Sequence, residues 1–282
     1  MKILVLGCTG MLGNAVFRYL TEQKLFQVWG TARSSGVINR LPSSNKVIGG
    51  VDVENFDSLC QVFAKVKPDV VINCIGLVKQ LAESNDPLLA LPINALLPHR
   101  LARLCGLTDS RLIHVSTDCV FTGLKGNYVE SDAPDAMDLY GRSKLIGEVD
   151  YPHAVTLRTS IIGHELASSH GLIGWFLDQN LSVRGFTRAV FSGLPTCELA
   201  RIIAEHVLPN EKLCGLYHVS SSPISKHDLL KLVAKTYNHN IEILADDKLI
   251  IDRSLDSSRF RSATGYQAPP WFELVQSMYS FG

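Results

Sequence analysis

The chain of 282 residues has no excess charge of either sign, because 27 Lys and Arg balance 27 Asp and Glu. Without a net field nothing draws it globally to nucleic acid or to a membrane surface, and neither is expected as a partner. No apolar run approaches the ~20 residues a membrane span needs. The stretch Ile3–Leu6 is too short for a secretory signal core, so a cytoplasmic location is expected. The seven cysteines are odd in number and include no Cys-x-x-Cys pair. Reduced thiols among apolar neighbours, such as Cys74 in "VVINCIG" and Cys214 in "KLCGLYHV", are expected instead of disulfides. There is no internal repeat and no low-complexity segment. What is left, at 46% hydrophobic and 19% charged residues, is a globular chain with a sizeable core that meets a small molecule.

What is present has a rhythm. "KILVLG", "FQVWGTAR", "KVIGGVDV", "DVVINCIG" and "RLIHVS" read as strands, and between several of them lie stretches of helical periodicity. "DVVINCIG" lacks polar alternation, as a strand covered on both faces should. Strands alternating with helices over about 160 residues imply βαβ units. The expected fold is therefore α/β: a Rossmann-type doubly wound parallel sheet in residues 1–160, followed by a smaller carboxy-terminal substrate-binding lobe in 161–282. "GLYHVSS" reads as one more sheet strand, so the segment 190–222 is expected to return to the main sheet. Ser225 should cap a helix over "SKHDLLKLVAKTY".

The first strand runs into "GCTGMLG", with Gly7, Gly10 and Gly13 at a spacing of three. A bare three-glycine turn can be purely structural. Between the first strand and first helix of a βαβ series, however, it offers unpaired N–H groups and the positive end of a helix to a pyrophosphate. Gly7, Thr9, Gly10, Met11 and Leu12 are the candidate contacts. A site for NAD carries an acid about 20 residues past the glycines. Here that place holds Arg33, followed by Ser34 and Ser35. A guanidinium suits a 2′-phosphate, which selects NADPH, with NADH as the alternative donor; a solvated loop arginine is the other reading.

"LYGRSK" places Tyr140 and Lys144 four apart on one helical face. A phenol of ordinary pKa near ~10 needs nearby positive charge to ionise readily, and a lysine one turn away together with an oxidised nicotinamide can supply it. Upstream, "HVSTDCVF" sets Ser116, Thr117 and Asp118 at the carboxyl end of a strand, where open parallel sheets bind ligands. A Thr117 hydroxyl beside that of Tyr140 could polarise a carbonyl for hydride attack. The alternative is a turn that merely caps the next segment.

Together with "DVVINC", Gly147-Glu148 and "LRTSIIG", these motifs resemble the extended short-chain dehydrogenase/reductases. The likeness is greatest to the dTDP-4-dehydrorhamnose reductase group, which reduces a nucleotide-sugar 4-ketone. The match is strong over the first 160 residues and weaker beyond, through "SGLPTCELARII" and "DRSLDSSRF". The resemblance implies a nucleotide-sugar substrate, Tyr140 as proton donor, Lys144 as ribose ligand and pKa modulator, and Thr117 as hydroxyl partner. It also implies Asp52 and Val53 near the adenine, Ser116, Cys74, Ile75 and Gly76 along the cofactor, and Asn94 supporting the neighbouring helix. Cys119 stands where this group commonly has a pocket-lining tyrosine. Asn14-Ala15 replaces the glutamate that some members use for a magnesium-linked dimer, so neither metal nor that dimer is carried over, and a homodimer of another kind stays open. Epimerase, dehydratase and non-catalytic regulatory-subunit readings remain alternatives.

A nucleotide sugar needs cations and a flat surface. Arg184, Arg188, Arg253, Arg259 and Arg261 are candidates, Arg253 foremost, and Trp175 could stack on a ring. Asp118 and Cys119 complete the expected pocket. In "HELASSH", His164 and His170 are six apart and cannot share a helical face as a zinc pair must. His114 reads as a core histidine, and the leucines of 81–104 as core packing with a partial helix–helix surface.

Overall fold

The computed structural model describes residues 1–41, 43–79 and 82–282. The first half reads β1 (Lys2–Leu6), α1 (Met11–Glu22), β2 (Gln27–Thr31), β3 (Val47–Ile48), α2 (Phe56–Val66), β4 (Val70–Asn73) and α3 (Pro87–Ala90). A π-helical turn, Leu91–Leu96, then leads into α4 (Leu97–Leu107), β5 (Arg111–Thr117), α5 (Leu139–Ile146) and β6 (Ala154–Thr159). The second half holds β7 (Ile161–Ile162), α6 (Leu172–Leu177), β8 (Ser182–Phe186), β9 (Ala189–Phe191), β10 (Leu194–Pro195), α7 (Thr196–Ile202) and β11 (Gly215–His218). It closes with β12 (Ile224–Ser225), α8 (Lys226–Thr236), β13 (Glu242–Asp246), β14 (Ile251–Asp252), α9 (Ser258–Thr264) and α10 (Trp271–Phe281).

Seven strands form one parallel sheet in the order β3-β2-β1-β4-β5-β6-β11. The expected doubly wound architecture is what the chain adopts. Successive side chains of a strand point to opposite faces, and β1 shows it. Ile3 and Val5 enter a core with α1 and α7, whereas Leu4 and Leu6 enter a second core with α2 and α4. Apolar burial on both faces is why these strands read as unbroken hydrophobic runs. The order reverses at β1, which has β2 on one side and β4 on the other, so the connections diverge and leave a crevice at the carboxyl ends.

Local signals hold the helices in place. Asn55 caps α2 by accepting from the Asp57 amide at 3.0 Å, and Lys67, left-handed at φ 49°, ends it before Pro68. Ser225 caps α8 through the Asp228 amide. Among the described residues no helix is long and apolar enough to cross a membrane. All seven cysteines are free; Cys74 is half-buried and packs against the core as expected, but Cys214 is exposed, contrary to the apolar packing expected for it. An apolar neighbourhood in sequence is not one in space. The leucine run also departs from expectation: Leu88, Leu89 and Leu96 are exposed, while Leu101 and Leu104 are core, and Leu81 lies outside the described residues.

One polar network runs through the interior. Arg158 on β6 is 2% exposed and grips Glu148 with Nε and Nη2. Glu148 also accepts the Ser116 hydroxyl at 2.6 Å. The Nη1 of Arg158 reaches His218 Nε2 at 2.9 Å, and His218 Nδ1 lies 3.0 Å from the Tyr128 carbonyl. A guanidinium only donates and a carbonyl only accepts, so His218 must be neutral with its proton on Nδ1. Burial and the neighbouring guanidinium accordingly push this imidazole down to about 4.

The sign of the consequence is fixed. Between pH 6.5 and 4 the unfolded chain protonates this histidine and the folded one does not, so stability falls as pH falls through that window. The slope from one such group is at most about 1.4 kcal/mol per pH unit. Denaturant melts of wild type and His218→Asn between pH 7 and 4 should show a shallower loss in the variant; parallel curves would contradict this protonation state.

Candidate active site

The glycine turn joins β1 to α1 at the switch point. Gly7 takes φ +79°, and a Cβ there would meet Ile75 at 2.8 Å. Gly13 lies so close to the turn that an added Cβ would come 2.0 Å from the Gly7 carbonyl oxygen. Gly10 differs: its Cβ would find only that same oxygen, at 3.5 Å, and otherwise open space. It caps α1 with no side chain bonded to the helix end and no acid in the first turn. The cradle is thus walled by backbone and open in front, with helix amides facing the opening, and these residues fit a dinucleotide diphosphate. Arg33 is exposed just beyond β2, with Ser34 accepting the Gly36 amide next to it. Asp52 and Val53 follow β3, where Asp52 bonds the Glu54 amide. Cys74, Ile75 and Gly76 follow β4, so all these positions lie along the carboxyl edge of the sheet.

The loop after β4 is held from behind. Asn94, buried on the π-helical turn, accepts from the Leu77 amide at 2.9 Å and donates to the Leu77 carbonyl and to Ser143 Oγ. Ser143 in turn donates to the Tyr140 carbonyl. An extra residue in a helical turn re-aims side chains, and here it points one amide at both walls of the groove.

Tyr140 is brought to the end of β5 by its neighbour. A Cβ on Gly141 would lie 2.3 Å from the Cys119 carbonyl oxygen, so only glycine lets α5 sit this close to the turn at Asp118–Val120. Asp138 caps α5 through the Gly141 amide and pairs with Lys79 at 2.6 Å, which ties the rim of the groove to the helix start. Tyr140 is half-buried. Burial raises its phenol well above the usual range, Cys119 adds to the rise, and the Thr117 hydroxyl opposes it. Lys144 is not among the groups that set this direction in the chain by itself. The Lys144 ammonium is held by the Val115 carbonyl at 2.9 Å and faces Gly76, and burial pushes it down to about 8. The protein itself therefore keeps Tyr140 protonated.

Thr117 is both cap and site. Its Oγ1 accepts the Cys119 amide at 3.1 Å and lies 3.2 Å from Asp118 Oδ1, so the capping turn and the expected hydroxyl partner are the same residue. Ser116 behaves otherwise: its hydroxyl is bonded to Glu148, inside the Arg158 network. Asp118 is 5% exposed, with its carboxyl raised by burial and lowered by Arg253 and by Lys226. Arg253 donates Nε to the Phe121 carbonyl at 2.8 Å and Nη1 lies 3.8 Å from Cys119 Sγ.

Arg253 is thus the one arginine among the five that contacts the Tyr140 pocket. Arg184 pairs with Asp246, Arg261 bonds Ser257 and Ser258, Arg259 lies over the Tyr217 ring, and Arg188 is exposed beside β9. Trp175 is exposed on α6, whose cap Gly171 lies near Met11 of the glycine turn. His164 bonds the Tyr237 hydroxyl, and His114 is fully buried against Asn73. Lys226 went unread in the sequence. It opens an amphipathic helix like any other lysine, and only the pairing of three short strands brings it to Asp118.

Residues 1–279 match the family model described as the RmlD substrate binding domain. The probable low-salt glycan biosynthesis reductase Agl14 of Haloferax volcanii is 31% identical over 180 residues, 62% of this chain and 58% of that protein. The methionine adenosyltransferase 2 subunit beta of Danio rerio is 26% identical over 84% of this chain and 74% of that one. The dTDP-4-dehydrorhamnose reductase of Aggregatibacter actinomycetemcomitans is 24% identical over 99% of both. Among solved structures, a hypothetical dTDP-4-dehydrorhamnose reductase from Sulfolobus tokodaii superposes with a TM-score of 0.79 at 27% identity, covering 96% of this chain and 98% of that one. The Bacillus anthracis dTDP-4-dehydrorhamnose reductase in complex with NADP gives 0.81 at 21% identity, covering 99% and 98%.

The fit of Gly141 against Cys119 generates a stability test. Gly141→Ala forces backbone against backbone and should destabilise by about 1–3 kcal/mol. Gly36→Ala, whose Cβ would meet nothing nearer than 3.8 Å, should be close to neutral in the same thermal melts.

Proposed function

Because the chain belongs to the RmlD substrate-binding-domain family, we propose that it is an NADPH-dependent reductase of a nucleotide-activated 4-keto-6-deoxy sugar. The observation that carries this reading is the convergence of Thr117, Tyr140 and Lys144 beside a glycine cradle at the switch point of the sheet. Bound NADPH would supply a hydride to the carbonyl carbon. Tyr140, kept protonated by burial, then gives its phenolic proton to the carbonyl oxygen. Thr117 would turn its one hydroxyl proton from Asp118 Oδ1 to that oxygen when the carbonyl binds. Lys144, anchored on Val115 and facing Gly76, holds the ribose side of the cofactor groove. Residues 161–282 supply the substrate lobe through Arg253, while 215–218 complete the main sheet.

Support for the cofactor comes from this chain's own residues more than from the Bacillus anthracis complex, whose 21% identity speaks for the fold. Gly10 leaves room for the diphosphate, and Arg33 replaces the acid that would hold an unphosphorylated ribose. A cytoplasmic setting suits seven free thiols.

A second reading, a non-catalytic NADP-binding subunit of another enzyme, is favoured by the relatives named methionine adenosyltransferase 2 subunit beta. Turnover decides between the two. A panel of nucleotide-linked 4-keto-6-deoxy sugars assayed by NADPH consumption should give product; a stoichiometric protein partner with no ketone reduced would select the second.

Two substitutions test the assignments. Tyr140→Phe should lower kcat at least ~10²-fold with NADPH affinity little changed, in line with the loss of a general acid. Unaltered turnover would remove Tyr140 from the chemistry. Arg33→Ala removes charge-assisted hydrogen bonds worth about 1.5–3 kcal/mol and should weaken NADPH at least ~tenfold while leaving NADH nearly untouched, as read by fluorescence titration.

A further inference from the structure

Strand β4 leaves the sheet at Asn73, which lies opposite Leu6 of β1 and His114 of β5. The Cys74 amide still follows the ladder and bonds the Leu6 carbonyl at 3.2 Å. The next amide does not. Ile75 N–H turns back to the side chain of Asn73, 3.1 Å from Oδ1. A side-chain turn of this kind re-aims the backbone, and what it aims is the loop 74–77 along the dinucleotide groove. Ile75 is the side chain pressed against Gly7, and Gly76 is the residue that Lys144 faces. Asn94 holds the far end of this loop through Leu77, and Asn73 holds the near end.

The hold depends on which way the Asn73 amide points, and His114 decides that. A backbone N–H only donates, so the atom facing Ile75 must be the amide oxygen. The amide nitrogen then faces His114 Nδ1 at 3.1 Å, and because it too only donates, Nδ1 must be the acceptor. The imidazole is therefore neutral with its proton on Nε2, which has no acceptor among the described residues. His114 is fully buried, and an unmet donor there is a cost that a leucine or phenylalanine would not bring. The hydrogen bond this ring does make is the one that fixes Asn73. Burial, followed by the Lys144 ammonium and His99, holds the imidazole well below the usual histidine range, so Nδ1 keeps its lone pair.

We propose that His114 is a positioning residue for the cofactor: it accepts from Asn73 so that the Asn73 oxygen holds the Ile75 amide, and this sets the loop 74–77 at its distance from the glycine turn. The proposal rests on the dinucleotide reading of that turn. Thr156 supplies the contrast. It lies opposite His114 on β6, is as deeply buried, and uses its hydroxyl on the Val149 backbone, away from the loop.

The test uses the full chain, with NADPH and NADH as probes in fluorescence titrations and denaturant melts run alongside. His114→Phe keeps the bulk and loses the acceptor, whereas His114→Asn sets an amide oxygen near the place of Nδ1. His114→Phe should weaken both nucleotides by the same factor, ~tenfold or more, and His114→Asn should recover most of that loss. Thr156→Val should lose stability and leave both affinities where they are. A folded His114→Phe protein that binds both nucleotides as wild type does overturns the assignment. So does a loss that Thr156→Val reproduces or that His114→Asn fails to recover. Should His114→Phe not fold, the wild type decides. Proton–nitrogen correlation spectra with isotope-labelled histidine, the His114 signal being the one missing from His114→Asn, should place the ring proton on Nε2; a proton on Nδ1 overturns the proposal. Turnover separates this proposal from the reductase reading. His114-dependent nucleotide binding without reduction of any ketone keeps the positioning role and removes the reductase, whereas ketone reduction with binding indifferent to His114 does the reverse. A wild type that binds neither nucleotide removes both.

Discussion

The buried pair of Arg158 and Glu148 is the constraint on which the rest of this molecule depends. A guanidinium 2% exposed at the middle of a sheet is tolerable only when its donors are met, and here they reach Glu148 and His218 while Phe121 covers the face of the group. Each partner belongs to a different piece of the structure. Glu148 follows α5, Ser116 is on β5, His218 is on the edge strand β11, and the Tyr128 carbonyl belongs to the long connection between β5 and α5. The network thus fixes the end of the strand carrying Thr117 relative to the helix carrying Tyr140. It also recruits β11 from the far half of the chain, through Glu130 as well as His218. Replacing one member leaves a buried charge unmatched, which is why such a network specifies one arrangement even where its net stabilisation is small.

With that frame in place, two opposite electrostatic designs meet at the carboxyl edge of the sheet. On the side of the glycine turn the positive potential comes from backbone amides and needs no charged side chain at the cradle itself. On the side of Asp118 side-chain cations, Lys226 and Arg253, brought from segments more than 70 residues beyond Tyr140, act on buried Asp118, and Arg253 also on Asp135. Between them sits a phenol that burial holds in its acid form.

How much of this could be read from the sequence follows from the range of the interactions concerned. β1, the glycine turn and α1 are contiguous, and their spacing encodes a turn whose every requirement is local; the same holds for Tyr140 and Lys144 on α5 and for the Ser225 cap. Alternation of strands and helices implies a parallel sheet with right-handed crossovers, whereas the order of the seven strands is seen only in the structure. The place of Lys226 near Asp118 could not be read, because it depends on β12 and β14, two residues each, pairing with opposite polarity to the same strand. Cys214 was misjudged because the strand after it lies at the open edge of the sheet. Gly141 was legible only as a helix residue; that it meets the Cys119 carbonyl needs the coordinates.

Cys119 draws these threads together. It is the residue whose backbone carbonyl sets the approach of α5, whose amide is capped by Thr117, and whose thiol is neighbour to Arg253. A thiol at this place is smaller than the tyrosine common in similar reductases, and it offers a weak donor in place of a strong one. The space and hydrogen bonding a phenol would have supplied must then come from elsewhere on the pocket wall. The nearest groups able to do so are the guanidinium of Arg253 and the ammonium of Lys226. Both are charged where the phenol is neutral, and both act on Asp118, Arg253 on Asp135 as well, while Thr117 and Tyr140 stay where the sheet puts them.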